Sequence, residues 1–194
     1  MWYQVWGPIA FSSSSQQMSD PYLAEAEGVL PTVAAVTPTN AQRVLHTLTL
    51  AFADDPASRW LYPEEVQYLR HFPTFAMAFG GAAIDRGTAL ATRDYSAVAL
   101  WLSPQAGPNE EALAELIKQS IPLSRIAGVL ALVAEMGRVH PREPHWYLPL
   151  IGVEPARRGM GLGAALLRPV LEECDAAHLH ANLEATSSRS VPLY

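Results

Sequence analysis

The stretch Trp146 to Leu167, "WYLPLIGVEPARRGMGLGAALL", constrains the fold more than any other part of the chain. An apolar run that reads as a strand passes through a basic, glycine-rich turn into a segment with leucines at helical spacing. A strand that feeds a helix in this way belongs to an α/β layer, because the helix must fold back to bury its apolar stripe on the sheet. The turn also carries chemistry. The first amides of a helix have no intrahelical partners and lie at the positive end of its dipole, so they bind phosphate when no side chain blocks them. Gly159, Gly161 and Gly163 leave that approach bare, and Arg158 adds a planar cation suited to pyrophosphate oxygens. The expected ligand is a pyrophosphate-bearing cofactor.

Composition narrows the setting of that site. The 194 residues are 49% hydrophobic and only 16% charged, which predicts one packed domain rather than a disordered chain. A net charge of −6 argues against a general nucleic-acid binder, whose phosphate contacts need a basic surface, so the anion site is local. The single cysteine, Cys174, excludes an internal disulfide and a cysteine-based metal cluster, and the six histidines lack HExxH spacing, so no metal is expected. No apolar run reaches the roughly 18 residues of a membrane span, and no membrane partner is expected. The N-terminal "MWYQVWGPIAFSSSSQQ" lacks a basic start and a small-residue cleavage site, so a signal peptide is not expected and the location is read as cytoplasmic. Residues 1–28 read as a loosely ordered extension and 29–194 as the domain.

Periodicity then alternates strands and helices. Val29 to Pro38 reads as a first strand, and "NAQRVLHTLTLAFADD" as a helix with Val44, Leu45, Leu48 and Phe52 on one stripe. The segment from Glu64 to Asp85 has helical spacing, loosened at Gly80-Gly81. Two strands flank a turn at Arg93-Asp94, with Ala97, Ala99 and Trp101 alternating against Val98, Leu100 and Leu102 in a hairpin at the sheet's centre. Asn109 can cap the next helix, and another runs from Leu123 to Val139. In the strand "HWYLPLIGV", Pro149 removes a ladder donor and predicts a bulge or splay. The helix after the glycine turn buries Leu162, Leu166, Val170 and Cys174 and is kinked by Pro169, and "LHANLEAT" is the last strand. The order predicts a mixed central sheet flanked by helices.

Two cofactor classes use such a turn. "GMGLGA" satisfies GxGxxA, with Glu184 about 20 residues on, as a dinucleotide fold requires. Against it, "EPARR" separates the strand from the first glycine, and the residues after the turn are too few for a second nucleotide-binding half. The other class is coenzyme A. "GVEPARRGMGLGAALLRPVL" resembles motif A of the GNAT acetyltransferase superfamily, Q/R-x-x-G-x-G/A, through Arg158, Gly161 and Gly163. "LEATSSRSVPLY" is similar to that family's next strand and helix start, and "AFADDPASRWLYP" to the acceptor-side loop of many bacterial members.

The resemblance implies an α/β fold of GNAT type and an N-acetyltransferase that uses acetyl-CoA as co-substrate. The acceptor is a small-molecule or peptide amine that attacks the thioester directly. It places the backbone of Ile151 and Val153 along the pantetheine arm, the amides from Gly159 through Met160, Gly161 and Gly163 to Ala164 on the pyrophosphate with Arg158 beside it, and Ser190 at a cofactor contact where many members have asparagine. It makes Tyr194 the proton donor to the departing thiolate and Glu184 a candidate base. Tyr147, His145 and Glu143 also lie at or before the cofactor strand, the last two read as structural. Trp60, Tyr62 and Trp101 divide between acceptor pocket and core. Relative to the family the C-terminal strands are missing, which predicts impaired turnover and an uncovered sheet edge open to homodimer pairing. A non-catalytic acyl-CoA-binding or interaction module is the alternative function.

Overall fold

The alternation in "AVALWL" sets the layers. Strand β4 (Ala97–Leu102) is buried along its whole length. It turns Ala97, Ala99 and Trp101 to one helix layer and Val98, Leu100 and Leu102 to the other. The computed structural model describes residues 3–5, 31–187 and 193. Six strands form one sheet in the order β1-β6-β5-β4-β3-β2, comprising β1 (Tyr3–Val5), β2 (Val33–Ala35), β3 (Ala89–Thr92), β4, β5 (His145–Val153) and β6 (His180–Ala185). All neighbours pair antiparallel except β5 and β6, which run parallel. The sheet is mixed and flanked by helices, as the sequence predicts.

One face carries α1 (Ala41–Ala51) and α3 (Glu65–Gly80), with α2 (Pro56–Leu61), α4 (Ala82–Asp85), α5 (Glu110–Ser120) and α6 (Leu123–Val139) around them. Val44, Leu48, Tyr68, Phe72 and Ala76 from α1 and α3 meet Val98, Leu100 and Leu150 in this larger core. The other face carries α7 (Leu162–Ala177), whose Leu162, Leu166, Val170 and Cys174 are all buried against Ala99, Trp101 and Leu148. Pro169 lies inside α7 and has no N–H for the carbonyl of Ala165. On the next carbonyl, Leu166, the Trp101 indole donates at 3.3 Å. Asn109 caps α5 by accepting from Ala112 N at 3.0 Å.

Some expectations need correction. Of the strand expected from Val29 to Pro38, Val29 and Leu30 lie outside the described residues, and among the rest the strand covers Val33–Ala35, with Pro31, which has no N–H to donate, before it and Pro38 opening a 3₁₀ turn after it. The helix expected over 64–85 is two helices that meet at Gly81. The outer edge of β6, expected to be uncovered, pairs from Leu183 to Ala185 with Val5 to Tyr3 of the same chain. Part of the stretch read as a loose extension is therefore a strand of the sheet. The reason is the one that made the edge a liability: its unpaired N–H and C=O groups template any extended segment, and the chain's own start supplies one.

Pro149 sits at a bulge. Leu102 is opposite Tyr147 and Leu100 is opposite Leu150, so Leu148 and Pro149 together oppose Trp101. The extra residue reverses the facing of the strand beyond it. Tyr147 and Leu150 both face the larger core, whereas Leu148 and Ile151 face α7. Past the bulge, β6 no longer pairs with β5; their ladder covers only His145 to Tyr147.

Candidate active site

The splay leaves peptide groups of β5 free. Glu154 N donates to Ser96 O at 2.8 Å and continues the Ala97 to Val153 register by one pair, which fixes its phase. Peptide groups alternate along a strand, so those of Leu150 and Gly152 face β4, and those of Ile151 and Val153 face the gap that β6 has left. The side chains of Ile151 and Val153 are half-buried on the α7 side.

That gap leads to the turn before α7. The chain passes a 3₁₀ turn (Pro155–Arg157), then Gly159 at φ +78° and Gly161 at φ +74°, left-handed positions that favour glycine. A Cβ on either would meet nothing within 4 Å, so both face open space. Gly161 caps α7 without a side-chain bond. Ala165 N bonds back to Gly161 O at 3.0 Å, whereas the amides of Leu162, Gly163 and Ala164 have no partner among the described residues. Met160 is exposed beside them. Gly163 differs from the reading that it clears the approach, since a Cβ there would come within 2.9 Å of Leu193 Cδ2.

The two arginines are engaged with protein. Arg158 Nη2 donates to the carbonyl of Ala51 at 2.8 Å, a cation on the C-terminal end of α1. Arg157 lies 3.9 Å from Asp94 in an exposed pair. Arg158 thus bridges the start of the turn to α1.

On the far side of the splay lies Glu184, with a side chain only 8% exposed. The Tyr147 hydroxyl donates to its Oε2 at 2.7 Å, and Asn182 Nδ2 reaches its Oε1 at 3.5 Å. Burial, then the neighbouring Glu184 charge, holds the Tyr147 hydroxyl far above its ordinary range, so it remains a neutral donor. His140 Nδ1 stands 3.6 Å from Glu184 Oε1, and His140 Nε2 is 3.2 Å from His145 Nε2. Phe79 sets its ring edge-on to Tyr147 at 6.1 Å. The mouth of this region is tied by Asp55, which caps α2 through Ala57 N and Ser58 N and accepts from the Thr186 hydroxyl.

Ile151 and Val153 stand at the end of β5, and Gly159, Met160, Gly161 and Ala164 follow in the turn and first residues of α7, with Arg158 before them, while Glu184 is on β6. Ser190 and Tyr194 lie outside the described residues. Glu143 contributes its carbonyl to His145 Nδ1, not its carboxylate. Trp101 and Tyr62 are core residues, and Trp60 is exposed. His140 was not singled out by the sequence; the available signal was the turn "HPREPH", which brings two histidines together before β5.

Fold and geometry together bring the partnerless edge of β5 and the open amides at the start of α7 onto the same side of the sheet's parallel pair. The chain belongs to the acetyltransferase (GNAT) family, whose sequence profile matches residues 89–194. That family uses acetyl-CoA as co-substrate. The chain is similar to a crystal structure of histone acetyltransferase HPA2 and related acetyltransferase from Corynebacterium glutamicum, at 27% identity and a TM-score of 0.57, over 86% of this chain and 82% of that one. Two further structures share the fold at 17% identity. They are an agmatine N-acetyltransferase (TM-score 0.55, covering 85% of this chain and 80% of that one) and the Drosophila melanogaster polyamine N-acetyltransferase that forms N-acetylagmatine (TM-score 0.54, covering 84% and 79%). No helix among the described residues is long and apolar enough to cross a membrane.

Proposed function

We propose that this chain transfers the acetyl group of acetyl-CoA to a primary amine of a small molecule, with Glu184 as the base. The observation that supports the reading is the order along the chain of the β5 edge that has no β6 partner past Tyr147, the glycine turn, and the amides of Leu162 to Ala164 that have no partner among the described residues. These groups fit coenzyme A: the strand edge suits the amides of a pantetheine arm, and the glycine turn suits a pyrophosphate. Acetyl-CoA supplies the activated thioester. Gly159 to Ala164 and Arg158 hold the anionic end, Ser190 adds a polar contact, and the Tyr194 hydroxyl gives a proton to the departing thiolate. Glu184 removes a proton from the ammonium form of the acceptor, which must be neutral to attack. Direct transfer is supported by Cys174, which is buried in the α7 core with its thiol pushed up to about 11, chiefly by burial and then by Glu173 and Asp175. Such a thiol is a poor acyl carrier.

Acetyl-CoA is expected to raise the melting temperature while NAD leaves it unchanged, because only a ligand of the native state shifts melting. Thiol release from acetyl-CoA, followed across polyamines, arylalkylamines and a lysine peptide, then identifies the acceptor. Stabilisation by NAD equal to that by acetyl-CoA would sink the cofactor assignment. Binding of acetyl-CoA with no thiol release for any amine would favour a non-catalytic module. Within the site, Arg158→Ala is expected to weaken CoA by about 1.5–3 kcal/mol, the size of a lost charge-assisted bond. The loss should disappear for pantetheine, which has no pyrophosphate.

A further inference from the structure

The ladder between β5 and β6 ends before it reaches Glu184. Its parallel register sets Tyr147 opposite Asn182 and, counted on, would set Ile151 opposite Thr186, but the pairing stops at Tyr147. On its other edge β6 is held by β1 as far as Ala185. The place of β6 against β5 at the level of Glu184 is therefore left to side chains.

Residues 51–55 form a short strap at this level. They leave α1 through the bonds from Phe52 N to Leu48 O at 3.0 Å and from Asp55 N to Phe52 O at 3.1 Å. At the start of the strap Ala51 rests on β5: a Cβ on Gly152 would fall 2.8 Å from Ala51 Cβ. At its end Asp55 Oδ2 accepts from the hydroxyl of Thr186, the residue that follows β6. Between the two, Phe52 and Ala53 pack on the larger core, and Phe52 stacks on Phe72 with ring centroids 5.6 Å apart. A chain of this length cannot stretch beyond about 14 Å, so the strap limits how far the end of β6 can move from β5. The other oxygen of Asp55 is engaged as well. Oδ1 accepts from Ala57 N and Ser58 N, both at 3.0 Å, so one carboxylate joins the start of α2 to the end of the strand. Thr186 also stands on the side that carries the base. Leu183 and Ala185 face the α7 core, Glu184 faces the other way and meets the Tyr147 hydroxyl, and Thr186 continues the alternation.

We propose that Asp55 is a positioning residue for acetyl transfer: through Thr186 it fastens the end of β6 to the strap and so sets the place of the Glu184 carboxylate against β5. The inference rests on Glu184 acting as the base. Asp55 and Thr186 touch no reacting atom and act through Glu184. A catalytic group misplaced by about 1 Å can cost up to about a hundredfold in rate while the substrates still bind, so the effect belongs to kcat.

The test cuts the same bond from each side. Thr186→Val keeps the shape of the side chain and removes its hydroxyl. Asp55→Ser keeps an oxygen for the α2 cap but is too short to reach Thr186 as well. With acetyl-CoA and the best amine of the panel, each variant is expected to lower kcat about tenfold, the double variant no further, and Thr186→Ser to recover most of the loss. Calorimetric affinity for acetyl-CoA should be unchanged, and with the melting temperature it shows that each variant has folded. On the residual turnover of Glu184→Gln, adding Thr186→Val should cost nothing more, a result that a merely structural role does not produce. Wild-type kcat in Thr186→Val, or single losses that add in the double variant, overturns the link. A loss in acetyl-CoA affinity instead of kcat, or one that persists undiminished beside Glu184→Gln, overturns action through Glu184. If Glu184→Gln itself keeps full turnover, the base assignment fails and takes the positioning role with it. If Glu184→Gln loses turnover and Thr186→Val does not, the base stands and only the strap falls.

Discussion

At the scale of single residues, the hairpin turn shows how one side chain fixes a junction. Asp94 Oδ1 accepts from Ser96 N at 3.1 Å, from Ser96 Oγ at 2.8 Å and from Thr92 Oγ1 at 2.8 Å. These bonds, the Ser96 backbone first, hold its carboxyl down at about 2. They also position Tyr95 at φ +65°, where the Arg43 guanidinium lies 4.1 Å over its ring and Thr47 Oγ1 donates to its carbonyl at 2.6 Å. The turn thereby joins α1 to the sheet. Because the folded value lies below the unfolded one, the contribution is complete above about pH 4 and is lost as pH falls towards 2. Asp94 is well exposed and its charge is screened, so Asp94→Ala should cost only about 1 kcal/mol at neutral pH. Urea unfolding at a series of pH values should show the two proteins converging between about pH 4 and 2. A difference that stays constant over that range would mean that the ionised carboxylate contributes nothing.

At the scale of elements, Gly152 decides how closely α1 approaches β5. A Cβ there would fall 2.8 Å from Ala51 Cβ and 3.1 Å from Leu48 Cδ2, so the helix rests on the strand where a side chain would stand. Ala51 also offers the carbonyl that receives Arg158. Moving α1 outward would therefore carry Arg158 away from the glycine turn. Gly152→Ala is expected to destabilise the protein by about 1–3 kcal/mol through overpacking, and to weaken CoA binding as well. Denaturant midpoints and calorimetric titration would measure the two effects, and a variant destabilised with unchanged CoA affinity would uncouple α1 from the cofactor site. The strand, turn and helix around Gly152 were legible in the sequence because their signals are local: an apolar run, glycines and a four-residue stripe. The bulge was legible too, since a proline inside a strand must be accommodated. The Glu184 cluster was not, because Tyr147, His140 and Glu184 are brought together by a parallel pairing and a turn that leave no mark on sequence spacing.

At the scale of the whole molecule, the first and last described strands pair at one sheet edge. β1 covers β6 opposite Leu183, Glu184 and Ala185, and pairs Gln4 with Glu184 itself. The sequence carried only a weak signal for this, a short run rich in aromatic and β-branched residues at positions 2–6, and nothing local could name a partner so distant along the chain. The consequence reaches the site, because the strand that presents the carboxylate is held on one side by β5 over a short ladder that ends at Asn182, and on the other by β1. Deleting residues 1–17 should therefore expose the β6 edge from Leu183 to Ala185, and an exposed edge of this kind seeks another chain. Sedimentation velocity is expected to show self-association that the full chain lacks at the same concentration. Affinity for acetyl-CoA should change little, since β1 pairs with β6 and β5 stands beyond β6 in the strand order, whereas kcat should fall as Glu184 loses its lateral support. A deletion variant that remains monomeric, with full turnover and an unchanged melting temperature, would mean that the edge of β6 is closed by something other than the chain's own start.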